Sequence, residues 1–346
     1  MKQVFRRIAV ALFVFAITNV AYARQWHINN NGNTVAADFT DINAAMNSAE
    51  VVDGDTLYLG NGSVFGTQSI GKAVTVIGAG WGGDISPVVS PKINGALNIN
   101  AAGAKVIGVR INGDIYITKS NVELVRCCGN GIFCNSSTGV NNVRIVQCSA
   151  SRVDGCDISY NSGWIIKNCI LYCDYYIIHR LFRATVENNV LINVYYNNSG
   201  SSSIIHELSY STIKNNIMIQ RDSDEVVHKY CIYSNNNNVI TNNVISLPDS
   251  YESSFPNNIL LGSNVLEAIF KCTGTRESGE YYSLKEGSPA IGAGESGIDC
   301  GVMDGVYKFV PYGRPHNIPI LREASVPTMP TDGKIRVTLK FENQNE

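Results

Sequence analysis

Charge is scarce in this chain of 346 residues: Asp, Glu, Lys and Arg together make up 16% of it, and the formal net charge is −2. With no basic stripe there is nothing to neutralise a phosphate backbone, so nucleic acid is excluded as a partner, and with no acidic block there is no solvating tail. Long apolar runs are lacking too. A membrane-spanning helix needs about 20 apolar residues, whereas the amino-terminal stretch from Ile8 to Val20 covers 13. That stretch follows Lys2, Arg6 and Arg7, and it runs into Ala21-Tyr22-Ala23 and then the polar Arg24-Gln25-Trp26. Small residues at both positions a signal peptidase reads make 1–23 a secretory signal peptide, with cleavage expected after Ala23. The mature chain of 323 residues is then secreted, periplasmic or at the cell surface, with no membrane span. No cysteine stands at its new amino terminus, so no lipid anchor is expected. A monomer is expected.

What is plentiful is 17 Tyr, 31 Gly and a heavy load of Asn, the composition of many short strands joined by tight turns. A phrase recurs as Val186-Glu187-Asn188-Asn189-Val190, Ile213-Lys214-Asn215-Asn216-Ile217 and Ile240-Thr241-Asn242-Asn243-Val244. Earlier copies end on cysteine, at Ile166-Lys167-Asn168-Cys169, Ile145-Val146-Gln147-Cys148 and Leu124-Val125-Arg126-Cys127. Taking that last position as a marker, and Asn258 as the final copy, the steps are 21, 21, 20, 27, 27 and 15 residues. A step of about 20 to 27 residues is one coil of a solenoid. Within a copy apolar and polar residues alternate, the period of a strand buried on one face, and the Asn pair marks a bend because Asn tolerates a left-handed backbone. Equivalent side chains then stack at the strand spacing of about 4.8 Å, where Asn amides can bond in a ladder. Cys127, Cys148 and Cys169 fall in that ladder and read as small buried thiols, while Cys128, Cys134, Cys156 and Cys173 leave room for one bridge.

The fold class expected is all-β, a single-stranded parallel β-helix with a capping helix at one end and a strap and capping strand at the other. Phe39, Ile42, Ala45, Met46 and Ala49 share a helical face, with Thr40 as the expected N-cap, so residues 24–55 form a cap over the open end. The β-helix is expected over 56–305. Residues 306–346, rich in Pro and ending in the alternating stretch Lys334 to Lys340, read as an extended strap and a terminal strand.

The run Phe39-Thr40-Asp41-Ile42-Asn43-Ala44-Ala45, then Gly54-Asp55-Thr56-Leu57-Tyr58-Leu59, then Val74-Thr75-Val76-Ile77-Gly78 resembles the opening of the pectate-lyase-like superfamily of right-handed parallel β-helix proteins. The closing Gly287-Ser288-Pro289-Ala290-Ile291-Gly292-Ala293-Gly294 and Gly297-Ile298-Asp299-Cys300-Gly301 is similar to the end of its bacterial exported members. The resemblance implies a right-handed coil over roughly residues 25 to 305 and a polysaccharide partner, handled by a lyase, a glycoside hydrolase or a member with no activity. The stretch around Asp154-Gly155-Cys156-Asp157 and Cys173-Asp174-Tyr175 is similar to polygalacturonase-type hydrolases. Asp154 and Asp174 take two of the acid positions there, Tyr175 interrupts the acid pair, and the Gly-His-Gly and Arg-Ile-Lys signatures are lacking.

Two clusters of candidate residues follow from the coil register. Asp154, Tyr175, Tyr195, Asp222 and Asp249 each stand six residues past a marker and are expected to form one outer column. Phenol rings there would stack on pyranose rings, and carboxylates would accept from hydroxyls or hold Ca²⁺, the one cofactor the pattern suggests. His179, His206 and His228, with Arg180, Arg183, Glu207 and Lys229, are expected on the longer loops of three successive coils. A lyase needs a base for the proton α to a uronate carboxylate and cations for the resulting enolate, roles open to His179, Arg180, His206 and Lys229. The spacing of the histidines matches no zinc motif, and no metal ligand set is assigned. The reading therefore carries an enzyme, lyase or hydrolase, against a non-catalytic envelope or carbohydrate-binding protein on the same coil.

Overall fold

A computed structural model describes residues 23–32, 37–82, 90–155, 161–194, 203–220, 231–233, 236–246, 255–262, 265–274, 279–314, 320–325 and 338–342. Most of the expected signal peptide therefore lies outside the described residues. The chain is all-β, with long sheets whose paired strands run parallel. Each winding gives one strand to each of three sheets. Ile165–Lys167 joins the first, Ile170–Cys173 the second and Ile178–His179 the third, and Thr185–Glu187 then returns to the first. Among the described residues the first sheet has ten strands and the third has eight. The second consists of a three-stranded and a six-stranded piece, linked by bridges through Cys128. This arrangement fits a parallel β-helix solenoid.

The alternation in the repeat becomes a stack of buried side chains. Leu57, Val76, Val106, Leu124, Ile145, Ile166, Val186, Ile213 and Ile240 face one another in register along the inside of the first sheet, and all are buried. Each contributes about 1.5–3 kcal/mol relative to exposure, so the column alone offsets much of the entropy of ordering short strands.

The markers form the expected ladder. In each copy the residue before the marker takes the left-handed conformation: φ is 52° at Arg126, 56° at Gln147, 50° at Asn168, 56° at Asn188, 57° at Asn215, 56° at Asn242 and 63° at Asn257. The marker itself turns inward and reaches one coil back. Asn216 Oδ1 accepts from the Asn189 N–H at 2.9 Å and Asn216 Nδ2 donates to the Val186 carbonyl at 2.9 Å, and Asn243 repeats both bonds one coil on. Cysteine fills the same place with weaker groups. The Cys148 Sγ accepts from the Cys127 N–H at 3.4 Å and donates to the Leu124 carbonyl at 3.6 Å, and Cys169 does likewise toward Cys148 and Ile145. Cys can stand in the first three places of this column and Asn in the rest because each offers both an acceptor and a donor.

Cys127, Cys148 and Cys169 carry free, buried thiols, and burial pushes those of Cys127 and Cys148 well above the ordinary thiol range. They are expected to resist alkylation in the native protein and to react after denaturation without reductant, a difference mass spectrometry counts directly. Cys173 is also a free thiol and takes no part in a bridge, while Cys156 lies outside the described residues.

Both ends differ in detail from the sequence expectation. The cap helix spans Ile42–Asn47 and its N-cap is Asp41, not Thr40. Asp41 is extended at φ −157° and its Oδ1 accepts from the Ala44 N–H at 2.7 Å, which a residue one step earlier cannot reach. Ile42 and Ala45 are buried, whereas Ala49 falls beyond the helix and is exposed. Gln25–Ile28, placed by sequence in the cap, already pairs with Thr56–Leu59 as the first strand of the first sheet. At the other end the strap begins well before residue 306. Ile269, Phe270, Tyr282, Ala290, Cys300, Val302 and Phe309 cover the outer residues of the second sheet, Ile170, Val190, Ile192, Ile217, Ile219 and Val244. The left-handed Asn residues dock it: Asn168 Nδ2 donates to the Asp304 carbonyl at 2.8 Å, and Asn215 Oδ1 accepts from the Glu295 N–H at 2.8 Å. The terminal strand is described over Thr338–Glu342, antiparallel to Ile320–Ser325, and the expected start at Lys334 lies outside the described residues.

Candidate functional site

Of the three outer faces, the second is covered by the strap. The first carries a ladder of paired charges, with Lys105 and Arg144 on Glu123 at 2.9 and 3.5 Å and Lys167 and Lys214 on Glu187 at 2.6 and 3.8 Å. Such half-exposed pairs mark a solvated surface. The third face differs in kind. Its outward residues, one per strand and in register, are Ser69, Asn98, Tyr116, Phe133, Asp154, His179, His206 and Tyr233. At about 4.8 Å per strand the column runs roughly 34 Å.

Beyond Ser69 and Asn98, aromatic rings lie on either side of a titratable middle in this column. Tyr116 stacks on Phe133 with centroids 5.8 Å apart, and the Arg152 guanidinium lies 4.7 Å from the Phe133 ring and 5.7 Å from that of Tyr175. Farther along, Tyr176 stacks on His206 at 3.8 Å and Tyr233 stacks on its neighbour His206 at 4.9 Å. Between them His179 Nδ1 is 3.2 Å from Asp154 Oδ2, and His179 Nε2 is 3.6 Å from Glu207 Oε2. Arg180 Nε donates to Glu207 Oε2 at 2.9 Å.

Local backbone explains how Arg180 and Glu207 join this face. Successive residues of a strand point to opposite sides, so both should turn inward. Each instead leaves the strand at φ 54°, in the left-handed region, where the chain bends toward the first sheet. Their N–H groups donate to the next coil, from Arg180 to the His206 carbonyl and from Glu207 to the Tyr233 carbonyl, both at 3.1 Å. Gly155 holds the same position one coil earlier, where a Cβ would run into the Arg180 carbonyl. The Asp-Gly of the sequence is thus a steric requirement at Gly155 combined with a site carboxylate at Asp154.

Burial and neighbouring charge set the protonation of the cluster. His206 is pushed down to about 4, first by burial and then by His179 beside it, so it is neutral near pH 7. Tyr176 is pushed up to about 12 by burial, by its hydrogen bond with Tyr175 and by that residue's charge, and keeps its proton. The Arg180 hydrogen bond holds Glu207 below the usual carboxylate range. Two nitrogens, His179 Nε2 and His206 Nδ1, are sealed from solvent without a hydrogen-bond partner among the described residues. An unmade buried bond costs about 1–3 kcal/mol, and both occur on adjacent strands of one face. One nitrogen of each histidine and the Glu207 carboxylate also lie within 4.8 Å of one another, a spacing that could hold a metal ion.

The structure brings together Asp154, His179, Arg180 and His206, and it places the two histidines on strands of the third sheet, not on loops. Tyr175 lies beside the cluster, in the bend after Ile170–Cys173, but not in register with Asp154, whose partner is His179. Asp174 is exposed in the same bend, on a different element from Asp154. A fixed offset of six residues fails because the connection from the second to the third sheet lengthens: one residue separates Ala150 from Arg152, four separate Cys173 from Ile178, and eleven separate Asn193 from Ile205. Tyr195, Asp222, Asp249, His228 and Lys229 lie outside the described residues. Tyr176, Tyr233 and Arg152 enter the site unannounced by the spacing, and Glu207 gains a partner and a place. A second repeat in the sequence marks the strands of the site and carries Glu207: Ile177-Ile178-His179-Arg180-Leu181 and Ile204-Ile205-His206-Glu207-Leu208.

No protein-family model matches the chain, and neither does a curated protein or a solved structure. Among the described residues no helix is long and apolar enough to cross a membrane.

Proposed function

We propose that the chain is an exported right-handed parallel β-helix protein of the pectate-lyase-like superfamily, and that the outer face of its third sheet binds a uronate-bearing polysaccharide and cleaves it by β-elimination. The observation that supports this reading is the column itself, where aromatic rings at Tyr116, Phe133, Tyr175 and Tyr233 flank imidazoles, a phenol and an Arg180–Glu207 pair on a face that the strap does not cover. Aromatic faces suit the apolar faces of sugar rings, and a column of roughly 34 Å accommodates several of them.

The elimination uses groups of this cluster. His206, neutral near pH 7, takes the proton α to the uronate carboxylate. The electron pair left on that carbon forms the new C=C bond as the β C–O bond breaks, and Tyr176, which holds its proton, delivers it to the departing oxygen. Arg180 offsets the charge that builds on the carboxylate. A hydrolase would need a carboxyl group kept protonated as general acid. Glu207 is shifted the opposite way, and Asp174 lies in an exposed bend.

The test is a panel of neutral and uronate polysaccharides offered to the purified mature protein, followed by ultraviolet absorbance of unsaturated ends and by reducing ends. Both signals are expected to rise together on a uronate polymer. Reducing ends without unsaturation would replace the lyase by a hydrolase, and binding without either signal would leave a carbohydrate-binding platform.

A further inference from the structure

We infer that His179, His206 and Glu207 form a binding site for one divalent transition-metal ion of the zinc type, with Asp154 as the positioning residue behind His179. Four features of the geometry carry this. The donor atoms converge, lying within 4.8 Å of one another. His179 Nε2 and Glu207 Oε2 are 3.6 Å apart, close to the edge of about 3.4 Å that two ligands span around a tetrahedral zinc ion with bonds of about 2.0–2.1 Å. Both histidines are more than nine-tenths buried, His179 being 7% and His206 9% exposed, and each has a sealed ring nitrogen without a hydrogen-bond partner among the described residues. Finally, Asp154 Oδ2 stands 3.2 Å from His179 Nδ1, on the side of the ring away from Glu207, the arrangement that fixes the tautomer of a metal-bound histidine so that Nε2 presents its lone pair.

The donor set selects the ion. Two imidazoles and one carboxylate suit zinc and its first-row neighbours, whereas calcium takes six to eight oxygens, which this cluster does not supply among the described residues. Three protein ligands leave a coordination position open for a ligand oxygen. Arg180 Nε donates to Glu207 Oε2, the same oxygen that lies 3.6 Å from His179 Nε2, so binding of the ion requires that hydrogen bond to open or pass to Oε1. The site shares His206 with the proposed elimination, and an ion held there takes the lone pair that proton abstraction uses, so the metal-loaded protein is expected to lose that activity; the test of the site itself requires no glycan.

The mature protein, stripped with a chelator and dialysed, would be titrated with Zn²⁺ by calorimetry, and in parallel with Co²⁺ while visible absorption is followed. One equivalent of Zn²⁺ is expected to bind with a rise in thermal midpoint, and the Co²⁺ form should show the intense visible bands of four-coordinate geometry. Ca²⁺ should bind at least 100-fold more weakly. His179→Ala and Glu207→Gln should each abolish the one-equivalent site, Asp154→Asn should weaken it about 10- to 100-fold, and His27→Ala, at an exposed histidine elsewhere, should leave it unchanged. The inference is overturned if the wild type binds no stoichiometric Zn²⁺, or if His179→Ala and Glu207→Gln bind it as the wild type does, which would move the ion to the cysteines. The wild-type Co²⁺ spectrum guards against a variant that fails to fold, since pale octahedral bands alone would contradict the assigned ligand set.

Discussion

Asn216→Ala is expected to cost about 3–5 kcal/mol of stability, among the largest effects of any single substitution in this chain. The side chain is fully buried and sits mid-ladder, accepting from Asn189 N and Nδ2 and donating to the Val186 carbonyl and to Asn243 Oδ1, each at 2.9 Å. Alanine leaves the Asn189 N–H and the Val186 carbonyl buried and unpaired, at about 1–3 kcal/mol each, and opens a cavity besides. Because each coil contacts only its neighbours, the loss is expected first as local opening around the coils of Asn189 and Asn243, seen as accelerated hydrogen exchange, and then as a lower denaturation midpoint. Asn216→Cys should fall between wild type and Ala, since Cys148 makes the same two bonds at longer range. Asn112→Ala is the control: its amide is exposed and bonds to Asn94 at the surface, so it should change stability by no more than about 0.5 kcal/mol. An Asn216→Ala protein as stable as that control would mean the ladder is decoration.

The second large effect belongs to the site. On a uronate polymer, His206→Ala should lower turnover by about 10²–10⁴-fold with a smaller change in KM, the signature of a group that acts on the proton in the transition state. Tyr176→Phe should do the same, and Asp174→Asn should change turnover little. The pH profile separates His206 from an ordinary histidine. A base active when unprotonated loses rate as pH falls through its own pKa. With His206 pushed down to about 4, the acid limb should fall near pH 4 and not near 6.5, the unperturbed value of about which an exposed histidine would report. If Asp174→Asn abolishes reducing-end release and His206→Ala does not, the hydrolase mechanism replaces the lyase.

The fold was legible because its constraint is periodic. One side chain per coil must turn inward and satisfy the coil before it, so Asn189, Asn216 and Asn243 recur in phase, and so do the left-handed residues before them. Thr40 gave way to Asp41 as the cap because a helix start is fixed by which side-chain oxygen reaches the free N–H groups, a matter of one residue. The strap's reach over the second sheet was hidden because Ile269, Phe270 and Val302 follow no period. For the site, counting from the bend at the end of the first sheet carried an error that grew with each longer connection. It put Tyr175 in register with Asp154, where the structure has His179. Counting from the Ile-Ile-His phrase would have kept the register, since that phrase is itself a strand. Arg180 and Glu207 were harder still: strand alternation points them inward, and only a left-handed φ at a residue other than Gly or Asn brings them out.

The most direct test of the central claim compares faces. Affinity for the glycan retained in the panel would be measured for Tyr116→Ala and Tyr233→Ala on the third sheet and for Lys167→Ala and Lys214→Ala on the first. If the outer column of the third sheet is the glycan site, each tyrosine variant should weaken binding about five- to tenfold through loss of ring contact, and the lysine variants should bind as the wild type does. Unchanged affinity in both tyrosine variants, together with weaker binding when Lys167 or Lys214 is removed, would place the glycan on the charged face and contradict the account.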